Sequence, residues 1–307
     1  MVALDDVPPA KVSANASTLP CSRHRWTYRG KGVEIAITDS GGTGPAWLLL
    51  PALNTISSRN EWQPFCDAIA NRQQASSERP RLIRLDWPGF GESDRPKLAY
   101  DAEFFARFLA DVRREVCPAD CGLIAAGHAA GIALLAAQRH GLTFQEWILV
   151  APTWRGPFPT MARRRSRVFP LIRALVEAPL VGPLLYRLNT SRSVLNWMGR
   201  RHVDGAGPGL SRGGLAARQR IARQPGARFA SAAFVSGGLD PYNSPEGWIK
   251  AAQDLEQPLT VVVADLAPPK SLAEMVSLAA VADRALHLGG RLGAHQEFSR
   301  ELAAMLG

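Results

Sequence analysis

The feature that most restricts the fold of this chain is a recurrence of short apolar runs separated by segments of helical spacing. The runs are AWLLLP (46–51), RLIRLD (81–86), CGLIAA (121–126), EWILVAP (146–152), PLTVVVAD (258–265) and RALHLG (284–289). Each has the length and composition of a buried strand. Between them, NEWQPFCDAIANR and DAEFFARFLADVRREV place their apolar residues on one helical face, with Asp101 positioned to cap the second. Ahead of them, HRWTY and VEIAITD read as two strands joined by a turn at Gly30–Gly32. Strands alternating with helices predict an α/β fold with a mainly parallel central sheet and helices on both faces.

From Pro152 to Pro245 the strand pattern stops. Prolines and glycines break the segment, and its apolar residues recur at helical spacing. The expected organisation is a core of residues 1–157 and 246–307, with residues 158–245 inserted as a helical cap over the carboxyl ends of the strands. The cap is strongly basic. Between Arg155 and Arg228 there are 15 arginines, no lysine and two acids, a net +13 that leaves −4 for the rest of a chain whose total is +9. Such a segment is a solvated face, an attractor for an anionic ligand or an acidic partner, or a contact with an anionic lipid surface. No nucleic-acid recognition module accompanies it.

With 307 residues and 46% hydrophobic content, the chain can bury a sizeable core. No run of about 18 apolar residues occurs, and the opening MVALDDVPPAKVSANAS lacks the basic start and apolar stretch of a signal peptide. A cytoplasmic, or membrane-peripheral, location is the expectation. Cys21, Cys66, Cys117 and Cys121 read as free thiols, because no second Cys/His cluster completes a zinc set. Neither a metal nor a cofactor is expected.

Within CGLIAAGHAAGIALLAAQRHG, an apolar run enters a glycine and a small-residue helix leaves it, the setting of a G-x-S-x-G elbow. WLLLPALNTISSR (47–59) looks like a third strand with its oxyanion loop, and LDWPGFGESDRP (85–96) like the D-x-P-G-x-G-x-S turn after the fourth. GRLGAHQEF (290–298) looks like the loop that carries a catalytic histidine. Together these segments resemble the α/β-hydrolase fold superfamily over about residues 26–305. The wording PALNTISSR, DWPGFG, GHAAG, PTWRGP and LYRLNTS is similar to a subgroup associated with cyanobacteria and plastids, which implies no particular substrate.

The resemblance carries roles onto individual positions. Ala129 takes the nucleophile position of the elbow and has no hydroxyl. His295 is the candidate base. The acid is either Asp265, two residues before the customary spacing, or Asp240, whose Gly-Gly-Leu-Asp-Pro context also reads as a turn. The backbone N–H groups of Leu53 and Ala130 are the expected oxyanion donors. Asn54 and His128 border the site, and the hydroxyls of Thr55, Ser57 and Ser58 follow. Asp86, Gly89 and Gly91 are expected to shape the turn after the fourth strand. The expected function is binding of an apolar or ester-like small molecule, lipid or isoprenoid included, without ordinary serine-hydrolase turnover. The alternatives are a hydrolase with a relocated nucleophile and a His295-dependent lyase-type enzyme.

Overall fold

The structure, a computed structural model, describes residues 20–72, 78–162, 166–200 and 212–306. An eight-stranded sheet forms the centre. Strands β1 (Cys21–Tyr28), β2 (Lys31–Asp39), β3 (Gly44–Leu50), β4 (Pro80–Leu85), β5 (Gly122–Ala126), β6 (Trp147–Val150), β7 (Leu259–Ala264) and β8 (Arg284–Leu288) lie in the order β1-β2-β4-β3-β5-β6-β7-β8. The β1–β2 and β2–β4 pairs are antiparallel, and the remaining five pairs are parallel.

Every residue of β5, β6 and β7 is buried, as strands covered on both faces require. Alternate residues feed two separate cores, because successive side chains of a strand point to opposite faces. Leu48, Leu50, Leu123, Ala125, Leu149 and Val261 face one core. Leu49, Ile124, Ala126, Ile148, Val150 and Val262 face the other.

Helices complete both layers. After β3, a short 3₁₀ turn (Arg59–Trp62) leads into α1 (Gln63–Arg72). Helix α2 (Ala102–Val116) follows β4, and Asp101 caps it by accepting from Phe104 N at 2.7 Å. Helix α3 (His128–His140) follows β5 and ends at Gly141, in the left-handed conformation. Between β6 and β7 come α4 (Pro157–Ala162), α5 (Val168–Glu177), α6 (Val181–Asn189), α7 (Arg192–Met198), α8 (Arg212–Ala222), α9 (Ala227–Val235) and α10 (Pro245–Gln253). Helix α10 packs on α3 and on α11 (Pro269–Ala279), which follows β7; α12 (Ala294–Glu297) and α13 (Ser299–Ala303) close the chain after β8. No single described helix is long and apolar enough to cross a membrane.

The turn after β4 is held by a buried charge network. Asp86 Oδ1 accepts from Arg59 N at 2.5 Å, Asp86 Oδ2 accepts from Glu92 N at 2.7 Å, and the Arg59 guanidinium closes on the same carboxylate. Arg59 also reaches Glu92 at 2.7 Å and Thr38 at 3.0 Å. Burial lifts the Asp86 carboxyl above its ordinary range, against the lowering pull of Arg59. Gly91 has φ 54°, and a Cβ there would lie 2.1 Å from the Asp86 carboxyl carbon. Asp86 and Gly91 therefore shape this turn.

Candidate active site

The corner between β5 and α3 is set by one backbone conformation. Gly127 has φ 54° and ψ −128°, a region that side-chain-bearing residues rarely enter, and α3 begins at the next residue. The apex is therefore Gly127, two residues before the expected position. Ala129 sits inside the first turn of α3, fully buried in the larger core. The reason is the register of the motif: GHAAG set the elbow on Ala129, whereas the chain turns at Gly127, the residue that needs no Cβ.

The shift moves the backbone donors as well. Ala130 N–H is spent on Gly127 O at 3.2 Å, an ordinary first-turn bond, so it is not an oxyanion donor. The residue that follows the apex is His128. Its N–H and that of Leu53 donate to no other described residue. Leu53 follows Pro51 and Ala52 at the end of β3, and a Cβ built on Gly127 would lie 3.1 Å from Ala52 Cβ. The third-strand loop thus packs directly against the apex. Trp87 ties it to the next turn by donating to Pro51 O at 2.8 Å.

Three polar side chains of that loop are engaged locally, whereas Ser57 Oγ is buried with no hydrogen-bond partner among the described residues. Asn54 donates to Ala52 O at 3.1 Å and accepts from Ile56 N at 2.9 Å, which makes it a turn residue. Ser231 on α9 donates to Thr55 Oγ1 at 2.9 Å, clasping the loop to the inserted helices. Ser58 caps the 3₁₀ turn in a capping box with Glu61. The His128 side chain points to the insertion, with Nε2 2.8 Å from Leu239 O and its ring edge-on to Phe234. Burial pushes its pKa down to about 4, so it is neutral and donates.

His295 is buried at the start of α12, against the Trp62 ring at 5.1 Å between centroids. Its carboxylate partner is neither expected acid. Asp265 pairs with His287 on the surface at 2.7 Å, and Asp240 accepts from Gly156 N at 2.7 Å. The partner is Glu61, whose Oε2 lies 3.1 Å from His295 Nε2. A carboxylate only accepts, so His295 Nε2 donates to it. The His295 Nδ1 is buried with no hydrogen-bond partner among the described residues. The same Glu61 oxygen accepts from Ala52 N at 3.2 Å.

Glu61 thus joins the histidine to the loop beside the apex. The sequence signal for Glu61 was its place in S-x-x-E (58–61), which reads as a helix start and gives no hint of a histidine 234 residues away.

A family model for the α/β-hydrolase fold matches residues 45–268. The chain belongs to that family. Solved structures agree with the family at the level of the fold. A probable hydrolytic enzyme from Pseudomonas aeruginosa PAO1 is 15% identical with a TM-score of 0.68, over 94% of each chain. A putative α/β hydrolase from Nostoc sp. PCC 7120 is 16% identical with a TM-score of 0.66, over 93% of this chain and 96% of that one. A haloalkane dehalogenase, DatA, from Agrobacterium tumefaciens C58 is 17% identical with a TM-score of 0.64, over 93% and 96%. No curated protein matches the chain.

In this α/β-hydrolase the inserted helices also frame a cleft of about 660 Å³ between α5 and the core. Tyr28, Leu98, Pro170 and Ala174 line it, with Arg29 and Lys97 among its charged groups.

Proposed function

We propose that this chain is a non-hydrolytic member of the α/β-hydrolase family that binds an apolar or ester-like small molecule. The observation that carries the reading is Gly127 at the apex of the β5–α3 corner. Acyl transfer by this architecture needs a side-chain nucleophile at that apex, and glycine brings none. Of the nearby hydroxyls, Thr55 and Ser58 are already committed to Ser231 and to the 3₁₀ cap, and Ser57, which has no hydrogen-bond partner among the described residues, is fully buried. The cleft between α5 and the core has the volume of a small-molecule site, but six of its eleven lining residues are charged and none belongs to the β5–α3 corner, so it does not carry this reading.

A second reading, a His295-dependent lyase-type enzyme, is favoured by the buried His295 Nδ1 that has no partner among the described residues while Glu61 holds the other ring nitrogen.

Turnover of short p-nitrophenyl esters tests the non-hydrolytic assignment. The wild type, Ala129→Ser and His295→Ala are expected to be silent, while Gly127→Ser, alone or with Ala52→Gly, gains turnover. Wild-type turnover abolished by His295→Ala would overturn the binding-only reading. Mass spectrometry of molecules that co-purify with the wild-type chain then identifies the ligand class.

A further inference from the structure

Helices α5 and α6 are unusual for a folded protein in what they expose. No residue of α5 is buried. Its outward positions are Val168, Leu171 and Leu175, spaced three and four residues apart on one face; Leu171 is 68% exposed. The corner and α6 continue the surface with Leu180 at 89%, Leu184 at 61% and Leu188. The two helices together have the composition of a membrane-crossing stretch, yet they meet at 105°. Such a bend suits a pair lying along an interface, not one passing through it.

A basic site adjoins this face. Pro183, Tyr186 and Arg187 of α6 line a cleft of about 410 Å³ whose other wall carries Arg223 and Arg228. Among the described residues, none of these three arginines forms an ion pair. Arg228 stacks on Phe229 at 4.4 Å, and its Nε is buried with no partner among the described residues. A guanidinium with an unspent donor in a cleft free of lining carboxylates is suited to bind a phosphate.

We propose that the α5–α6 corner docks on an anionic phospholipid bilayer, inserting its apolar face while the adjacent arginine cleft takes a lipid phosphate. Charge complementarity selects this occupant. The segment from 155 to 228 carries a net +13 with no lysine, which matches an anionic surface and repels a second copy of itself. The proposal goes beyond the function proposed above and does not depend on what the β5–α3 corner does.

The test is flotation of the full chain with phosphatidylcholine vesicles, with and without phosphatidylglycerol. Recovery is expected only with the anionic vesicles, and it falls as salt is raised. Leu171→Asp with Leu184→Asp, both exposed, should abolish recovery without lowering the thermal midpoint. Arg187→Gln with Arg223→Gln and Arg228→Gln should weaken it on the order of 100-fold, from roughly a fivefold effect per cation. Equal recovery with neutral vesicles overturns the proposal, as does unchanged recovery in the leucine variant. Inorganic phosphate binding without vesicle binding also overturns it. So does a concentration-dependent dimer, seen by light scattering, that the leucine variant dissolves.

Discussion

Glu61 and His295 stand 234 residues apart in the chain and meet at 3.1 Å, with the same glutamate oxygen also holding the Ala52 N–H. One carboxylate thereby fixes the imidazole orientation and the loop at the end of β3. Glu61→Gln keeps the shape and removes the charge. It should destabilise the fold by about 1–3 kcal/mol, because a hydrogen bond from a buried donor to a carboxylate is worth more than one to an amide. A double-mutant cycle with His295→Ala should show a coupling of about 1 kcal/mol or more. Additive denaturation midpoints would remove the pair from the site.

Gly127→Ser and Ala129→Ser are predicted to differ in kind. The first must hold a positive φ and bring a Cβ to within 3.1 Å of Ala52 Cβ. A cost of about 1–3 kcal/mol is expected, part of which Ala52→Gly recovers. The second places a hydroxyl in a closed core and costs about 1–3 kcal/mol. Ala52→Gly should not rescue it. Urea midpoints of the two single and two double variants check this.

How much of the corner was legible in the sequence turns on these two positions. Small residues occur at 125, 127, 129 and 131, so two registers of the elbow satisfy the same spacing. Only the backbone dihedrals of Gly127 choose between them. The buried strands were readable because β5 and β6 are apolar throughout and β7 is apolar but for Thr260, and the α2 cap because Asp101 precedes an amphipathic run. The partner of His295 was not readable. Glu61 already satisfied a local rule as the acid of a capping box, and local rules say nothing about a second contact across the sheet. The roles expected of Asp265 and Asp240 failed for a related reason. Each found a nearer partner, His287 and the Gly156 N–H.

His128 makes the fold pH-dependent. Its pKa falls to about 4 on burial, against an ordinary 6.5. The unfolded chain therefore binds the proton more readily between those values, and stability rises with pH through that window. Lowering the pH from about 7 to 4.5 should cost roughly 2–3 kcal/mol through this residue. His128→Gln should flatten the pH dependence of the denaturation midpoint over that range. An equally steep profile in the variant would assign it to other groups.

Arg59 and Asp86 form a buried ion pair with both side chains almost inaccessible. Arg59→Met leaves the Asp86 charge without its partner and should destabilise the fold by about 3–5 kcal/mol. Replacing both residues with apolar ones should cost less than the sum of the two single changes. Thermal unfolding of the three variants measures this.

The right-angled meeting of α5 and α6 fixes more than the position of their leucines. A single amphipathic rod resting on a flat surface is free to roll about its own long axis. Two rods joined at 105° are not, because rolling either one lifts the other. Whatever plane receives this elbow of helices therefore receives it in one attitude. The eight-stranded sheet behind it is then held at a constant tilt, with the rim of the Gly127 corner always presented the same way.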